Sequence, residues 1–204
     1  MANIQNVDYE ALPGQARQMR ETGKGLNAEL KKAYESIGTM HNSWYGKRYN
    51  ELVMEFNNII PQINQILELV VGEIPFTLET VANNYSQADR GSKVTQAVKE
   101  APSKITELST PNDVGMKFIT EDVANVQRSV SDNFRNAKEQ MNSIDAQYRK
   151  IAWESEASEA FKEAFNKLRT SIITSFDNIN SSFTRLMNQT MQDIQSTENA
   201  NTVK

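Results

Sequence analysis

The chain has 204 residues, of which 38% are hydrophobic and 24% charged, and its formal net charge at pH 7 is −4. That length fits one domain or two small ones, and the negative charge gives no electrostatic reason to expect nucleic acid or an anionic membrane surface as a partner. Cysteine is absent, which excludes disulfides, thiolate metal sites and cysteine nucleophiles without fixing the compartment.

Two stretches bear on export and on membrane association. Residues 1–20 contain no apolar core of signal-peptide length, so we expect any export to proceed without a cleaved secretory signal. The longest stretch without a charged residue, 56–67, is interrupted by asparagine and glutamine, whereas a spanning helix needs roughly 18 or more apolar residues. We therefore expect no stable membrane insertion.

The first predicted element is a helix over residues 8–41. Its apolar residues recur in alternating steps of four and three, which is the seam of a helix that packs against other helices, whereas a strand would alternate every second residue. The seam consists of Leu12, Ala16, Met19, Gly23, Leu26, Leu30, Ala33, Ile37 and Met40.

A second helix is predicted over residues 47–90, with one disturbance. Its seam continues the same rhythm but takes two successive steps of four beside Gly72 and Pro75. Pro61 and Pro75 each lack the backbone N–H and crowd the preceding turn, which predicts a bend or break at one or both.

The second half of the chain predicts two more helices, over residues 111–151 and 155–196. Thr110 is a candidate cap for the third helix, with Pro111 in the first helical position and Asp113 three residues after the cap. Ser155 is the candidate cap of the fourth helix. The polar residues 196–204 are expected to fray.

The connection between the halves, residues 91–109, has two possible conformations. Its apolar residues suggest a short amphipathic helical piece interrupted at Pro102. A helix of about 40 residues is about 60 Å long, and nineteen extended residues reach about 63 Å. An almost straight linker therefore allows the halves to pack antiparallel within one chain. A helical linker requires both turns at one end, or pairing between chains.

The two halves repeat one another. Trp44 and Trp153, the only tryptophans, each lie at a break between two helical patterns, and a shift of 109 residues superimposes the segments that follow them. Eight apolar residues fall on apolar residues: Leu52, Phe56, Ile59, Ile63, Leu67, Val70, Ile74 and Leu78 on Phe161, Phe165, Leu168, Ile172, Phe176, Ile179, Phe183 and Met187. This agreement indicates a tandem duplication.

The predicted fold is all-α, with two tandem antiparallel helical hairpins that form an elongated four-helix bundle. The first hairpin comprises residues 1–90, the linker residues 91–109 and the second, divergent hairpin residues 110–204. Closure within one chain and exchange between two chains are both open from the sequence.

The turn of the first half carries a motif. Trp44-Tyr45-Gly46 stands between two long helical patterns, with Tyr85 and Asp89 one helical turn apart at the end of the second. The first half, from about residue 8 to residue 90, resembles the WXG family, the early-secreted-antigen-like hairpins exported by bacterial type VII secretion systems. The second half resembles it more weakly over residues 113–198.

The resemblance implies a function and a set of site residues. Family members are usually single hairpins that dimerise, so this chain resembles a dimer fused into one polypeptide. The implied turn residues are Trp44 and Gly46 in the first copy and Trp153 and Ser155 in the second; the implied export signal is Tyr85 and Asp89. Ile194 and Glu198 replace that pair in the second copy, so only one copy carries an intact signal.

The resemblance also implies partners and a location. The partners would be the type VII secretion ATPase and either a second copy of the chain or a WXG-like protein. The protein would be cytoplasmic before export and then secreted or held at the cell surface of a Gram-positive bacterium.

The same residues have plainer readings. Trp44 and Trp153 most simply anchor their turns by burying large indoles, and Tyr85 with Asp89 can be a seam tyrosine beside a solvated acid. Gly46 is interpreted as a residue whose turn conformation is costly for a side chain with a Cβ.

The sequence contains few residues that could carry out catalysis. A Ser-His-acid triad could be built only around His41, the sole histidine, which lies in a predicted polar turn. There is no phosphate-binding glycine loop and no clustered metal-ligand spacing. We expect a non-enzyme without catalytic residues, cofactor or metal. The rival interpretations are a cytosolic helical adaptor or chaperone and, less favoured, a helical pore-forming toxin component.

Overall fold

Helices dominate the computed structural model, which describes residues 6–201, and the all-α prediction is confirmed. The helices are α1 Leu12–Met40, α2 Lys47–Leu67, a π-helix Glu68–Glu73, α3 Ile74–Arg90, α4 Thr120–Tyr148 and α5 Glu156–Asn201. Four two-residue strands lie between them: β1 Asn6–Val7, β2 Trp44–Tyr45, β3 Lys117–Phe118 and β4 Trp153–Glu154. We call α1 to α3 hairpin 1 and α4 to α5 hairpin 2.

The disturbance predicted in the second helix takes the form of a π-helix. The chain stays helical through both Pro61 and Pro75, so the helix breaks at neither. Pro75 is the second residue after the π-helix and cannot donate the backbone hydrogen bond that an α-helix would require there. In a π-helix each backbone hydrogen bond spans five residues instead of four. Apolar residues spaced four apart can therefore stay on one face, and Val70 and Ile74 are both buried.

The predicted start of the third helix is wrong. The helix α4 begins at Thr120, and Thr110, Pro111 and Asp113 belong to the non-helical linker. Hairpin 1 holds this segment, because Asn50 donates to the carbonyl oxygen of Pro111 (3.3 Å) and His41 contacts the Asp113 carboxylate (2.5 Å). At the other end of hairpin 2, α5 continues to Asn201, beyond its predicted end at 196.

The two hairpins pack antiparallel to one another. Along α1 and α4, Gln147 donates to Thr22 (2.8 Å) and Asn136 donates to Glu29 (3.2 Å), so one helix ascends as the other descends. The helices α2 and α5 also run in opposite directions, as the hydrogen bond from Ser171 to Gln62 and the ion pair of Arg185 with Glu55 show. The two tryptophan turns therefore lie at opposite ends of the molecule.

Aromatic rings from all of these helices form one shared core. Tyr34 of α1 meets Phe56 of α2 edge to face at 5.3 Å. Phe56 stacks on Phe134 of α4 at 5.7 Å, and Phe134 stacks on Phe176 of α5 at 4.0 Å. All four side chains are buried, so the halves do not have separate cores.

Short strand pairs close both ends of the molecule. The strand β1, just before α1, pairs antiparallel with β4, so that Val7 faces Trp153. Reciprocally, β3, just before α4, pairs with β2, so that Trp44 faces Phe118. The segment that precedes each hairpin thus pairs with the turn of the other, and in residues 6–201 the strands are confined to these two pairs.

The linker is extended, so the predicted amphipathic helical piece is wrong. We call residues 94–111 the strap. It lies along hairpin 1, from Asn83 of α3, which accepts from the N–H of Val94, to Asn50 of α2. The helical path between those asparagines is about 50 Å, and the strap reaches about 56 Å when fully extended. The nearly straight linker is the one that permits antiparallel packing within a single chain.

Candidate functional site

The Trp44 turn is a buried aromatic cluster. The indole is 1% exposed and meets three rings: Phe118 edge-on at 5.4 Å, Phe183 in a stacked arrangement at 6.0 Å and Tyr49 at 6.1 Å. Phe118 and Phe183 belong to the second half, so the tryptophan joins the halves as well as closing its own turn. A partner protein can reach this indole only by opening the structure.

Gly46 adopts a conformation that disfavours other residues. It precedes α2 with φ +121° and ψ −173°, in a region that residues with a Cβ rarely occupy. A Cβ built there would lie 3.5 Å from the nearest atoms, which is ordinary contact distance. The backbone angle, and not crowding, is therefore what requires glycine, as the sequence predicts.

A cleft of about 400 Å³ adjoins this turn. It lies between the Trp44 turn and the last turns of α5, and Arg48 is one of the charged residues that line it. The guanidinium contacts carboxylates of both Asp193 and Glu51 at 3.3 Å. Its charge is therefore largely compensated within the protein.

The Trp153 turn is clasped by a glutamine. The indole is 7% exposed, and Gln15 of α1 uses both ends of its carboxamide on the turn. Its nitrogen donates to the carbonyl oxygen of Lys150 (2.7 Å), and its oxygen accepts from the N–H of Ala152 (2.9 Å). The N–H of Asp8 donates to the carbonyl oxygen of Ala152 at 2.9 Å.

Ser155 occupies the position that corresponds to Gly46. Its hydroxyl accepts from the N–H of Ser158 at 3.1 Å, which is the hydrogen bond of a helix N-cap, and the predicted cap is confirmed. No residue other than glycine has a positive φ in the described part of the chain. The second copy therefore reaches its helix by capping instead of by a glycine conformation.

Tyr85 and Asp89 lie on the last turns of α3. Tyr85 is half-buried, whereas the side chain of Asp89 is 63% exposed. The Tyr9 hydroxyl donates to the Asp89 carboxylate at 2.5 Å, and Arg90 contacts that carboxylate at 3.7 Å. Asp89 is thus exposed but already held by neighbours.

Charged and aromatic groups surround that carboxylate. The hydrogen bond to Asp89 raises the pKa of the Tyr9 hydroxyl above its usual value. Arg90 forms an ion pair with Glu10 at 2.6 Å and lies 5.3 Å from the centre of the Tyr9 ring. The ion pair with Glu10 is also the main reason that the pKa of Arg90 is raised.

The packing brings Tyr85 and Asp89 to the end that carries Trp153, away from Trp44. Tyr9 contacts Asp89 and lies two residues after Val7, which pairs with Trp153. The Trp44 turn is about 60 Å away along the α2 to α3 path. The tryptophan turn nearest the predicted export signal is therefore the one from the second copy.

Sequence reasoning missed Tyr9, Arg90 and Gln15. The partners of Tyr9 and Gln15 lie 80 and 135 residues away, so no local spacing could indicate these contacts. The weak signal that existed is the position of Arg90 directly beside Asp89.

No protein-family model, curated protein or solved structure matches the chain. The resemblance to the WXG family therefore rests on the motifs in the sequence. Within residues 6–201, no group of three or more histidine, aspartate or glutamate side chains could hold a metal ion. In the same residues, no helix combines the length and apolar content required to cross a membrane.

Proposed function

We propose that this protein is a non-enzymatic export substrate or secretion partner of a bacterial type VII secretion system. In this proposal the two WXG-like hairpins form an elongated four-helix bundle that corresponds to a fused dimer. The antiparallel contacts of α1 with α4 and of α2 with α5 support it, as do the reciprocal strand pairs at the two ends.

The observation that carries the proposal is the meeting of Tyr85, Asp89 and the Trp153 turn at one end of the molecule. The exposed carboxylate of Asp89 and the half-buried ring of Tyr85 offer an acidic and aromatic surface. Tyr9 fixes the carboxylate on a folded support. The proposed partner is the secretion ATPase, which would engage this surface with complementary cationic and apolar groups.

This function places the protein in the cytoplasm before export and outside a Gram-positive cell afterwards. Recognition precedes unfolding, because the surface combines residues from α3, from the segment before α1 and from the second half. A second copy of the chain or a separate WXG-like protein remains the proposed additional partner.

Export in the native host tests the proposal. We expect Tyr85→Ala and Asp89→Ala each to remove the protein from the culture supernatant while it accumulates in the cells. Gln87→Ala is the matched control, because Gln87 is exposed on the same turn of α3; it should leave export unchanged. Circular dichroism of the purified variants checks that the fold is intact.

Two results would overturn this function. Normal export of both folded variants would show that Tyr85 and Asp89 are not read. Fractionation that finds the wild-type protein only in the cytoplasm would favour the cytosolic adaptor instead.

A further inference from the structure

The strap is held chiefly through its main chain. Four of its residues have both the N–H and the carbonyl oxygen bonded to side chains of hairpin 1: Val98, Ser103, Ile105 and Leu108. The Asn57 carboxamide donates to the carbonyl oxygen of Leu108 (2.8 Å) and accepts from its N–H (2.9 Å). The Asn64 carboxamide does the same with Ile105, at 2.9 and 2.8 Å. Such contacts recognise an extended backbone whatever its side chains.

The asparagines follow a spacing that matches an extended chain. Asn50, Asn57 and Asn64, which we call the asparagine ladder, lie seven residues apart on α2 and contact Pro111, Leu108 and Ile105, which lie three apart. Seven helical residues rise about 10.5 Å, and three extended residues span about 9 to 10 Å. The ladder therefore keeps in register with an extended segment over its whole length.

The other side of the groove is equally specific for main chain. Asn27 of α1 donates to the carbonyl oxygen of Ser103 (2.8 Å) and accepts from its N–H (3.2 Å). Arg20 donates to the carbonyl oxygen of Val98 (2.9 Å) while its buried guanidinium forms a bidentate pair with Glu79 (3.0 and 3.1 Å). The helices α1 and α3 thus contribute polar groups that are already positioned.

The shape of the groove also fits a bare main chain. A Cβ on Gly72 of the π-helix would lie 2.8 Å from the carbonyl oxygen of Glu100, so only glycine allows the strap to approach there. Ile105, at 5% exposed, is the only strap residue that is buried. Leu108 is partly buried against the same core, so the groove fits an extended segment with a large aliphatic anchor at Ile105 and a second apolar side chain three residues later.

We propose that the groove between α1 and the α2–α3 helix is a binding site for extended polypeptide segments, and that the strap is its ligand in cis. The partner that fits is a protein segment in extended conformation with a large aliphatic side chain at the position of Ile105. Few of the strap's side chains are buried, which is typical of segments that open locally. A partner segment takes its place. The proposal is independent of export.

Binding of a peptide to the full-length protein tests this site. The probe is a fluorescein-labelled peptide with the sequence of residues 98–111, and the receptor is the Ile105→Asp chain, whose strap loses its buried anchor. We expect saturable binding by fluorescence anisotropy, roughly tenfold or more tighter than to the wild-type chain, whose tethered strap competes at about millimolar effective concentration.

The asparagine ladder supplies the specificity control. Adding Asn57→Ala and Asn64→Ala to the Ile105→Asp chain should weaken peptide binding roughly tenfold or more, since four main-chain hydrogen bonds are lost. Adding Asn58→Ala instead should leave binding unchanged, because Asn58 is exposed on the same helix. Equal effects of the two sets of substitutions, or no binding by a folded Ile105→Asp chain, would overturn the proposal.

If Ile105→Asp lowers the helical circular dichroism signal, the variant is not folded, and displacement of the strap is tested on the wild-type chain instead. Trypsin can cut the strap after Lys99 and Lys104 once it is released. A peptide of residues 98–111 in which both lysines are glutamine, added at about millimolar concentration to compete with the tethered strap, should speed these cleavages. Unchanged cleavage rates would refute displacement of the strap.

Discussion

The segments that follow the two tryptophans align at a shift of 109 residues, yet the second helices of the two hairpins differ. In hairpin 1 this helix passes from α to π and back to α over Lys47–Leu67, Glu68–Glu73 and Ile74–Arg90. In hairpin 2 it is one continuous α-helix of 46 residues. Thr170 and Thr184 stand where the first copy has Pro61 and Pro75, so α5 keeps every backbone donor that the prolines remove.

The strap is a second difference between the two hairpins. It lies on hairpin 1, and the positions in hairpin 2 that correspond to the asparagine ladder hold Glu159, Asn166 and Ile173. A glutamate and an isoleucine cannot both donate and accept in the manner of a carboxamide. Divergence of a few polar residues thus leaves one copy able to hold an extended chain and the other without the means to do so.

The largest expected difference between the two halves is in the stability contributed by their tryptophan turns. Trp44→Ala should lower the free energy of unfolding by about 3 to 5 kcal/mol, as for other fully buried large aromatics. Trp153→Ala should lower the free energy of unfolding by less, with a difference of about 1 kcal/mol or more. The reason is that Trp44 also has favourable contacts with three rings. Urea denaturation of both variants measures the difference. A larger loss for Trp153→Ala would contradict the prediction that the Trp44 turn contributes more to stability.

The elements that could be predicted from sequence are those determined by local pattern. The helical seams predict the buried faces, and Gly91, with φ +70°, ends α3 at the predicted boundary. The strap conformation could not be predicted, because its hydrogen-bond partners lie 41 to 76 residues away in Asn64, Asn57 and Asn27. The capping signal at Thr110 was misleading for the same reason: contacts with hairpin 1 override it.

The candidate site shows the same limit. The spacing of Tyr85 and Asp89 is visible in the sequence, and their position on one helical face follows from it. That Asp89 would be held by Tyr9, and that Trp153 would lie at that end, depends on the antiparallel packing of the hairpins. The sequence left that packing open.

A second test exchanges the residues that follow the two tryptophan turns. Gly46→Ser should cost about 1 to 3 kcal/mol, because serine must then adopt the strained positive φ. Ser155→Gly should cost only a few tenths of a kcal/mol, roughly the difference between these residues as N-caps. Thermal denaturation of the two variants checks the asymmetry. Similar losses would indicate that Gly46 is not held at its observed backbone angle.

A third test uses alkaline pH and concerns the tyrosines that close each hairpin. Tyr49 of α2 donates to the carbonyl oxygen of Ile37 (3.1 Å), and Tyr148 of α4 donates to that of Ser158 (2.9 Å). Burial raises the pKa of Tyr49 to about 12, and burial likewise raises the pKa of Tyr148. The folded state therefore favours the protonated phenols.

The sign of the pH dependence follows from these raised pKa values. The stabilisation is fully present below the unfolded pKa of about 10, and it decreases as the pH rises from there through the folded value. Urea unfolding at pH 9 and about pH 11.5 should show a loss in the wild-type chain that is smaller in Tyr49→Phe. Equal losses in the two chains would remove Tyr49 from this explanation.

The pairing of Val7 with Trp153 also sets an order of events during protein synthesis. A ribosome adds about 5 to 20 residues per second, so the partner of Val7 is made roughly 7 to 30 s later. Until then β1 has no strand to join, even if α1, α2 and α3 have already formed. The strand β1 thus reaches its final contacts only after the chain has been made as far as Trp153.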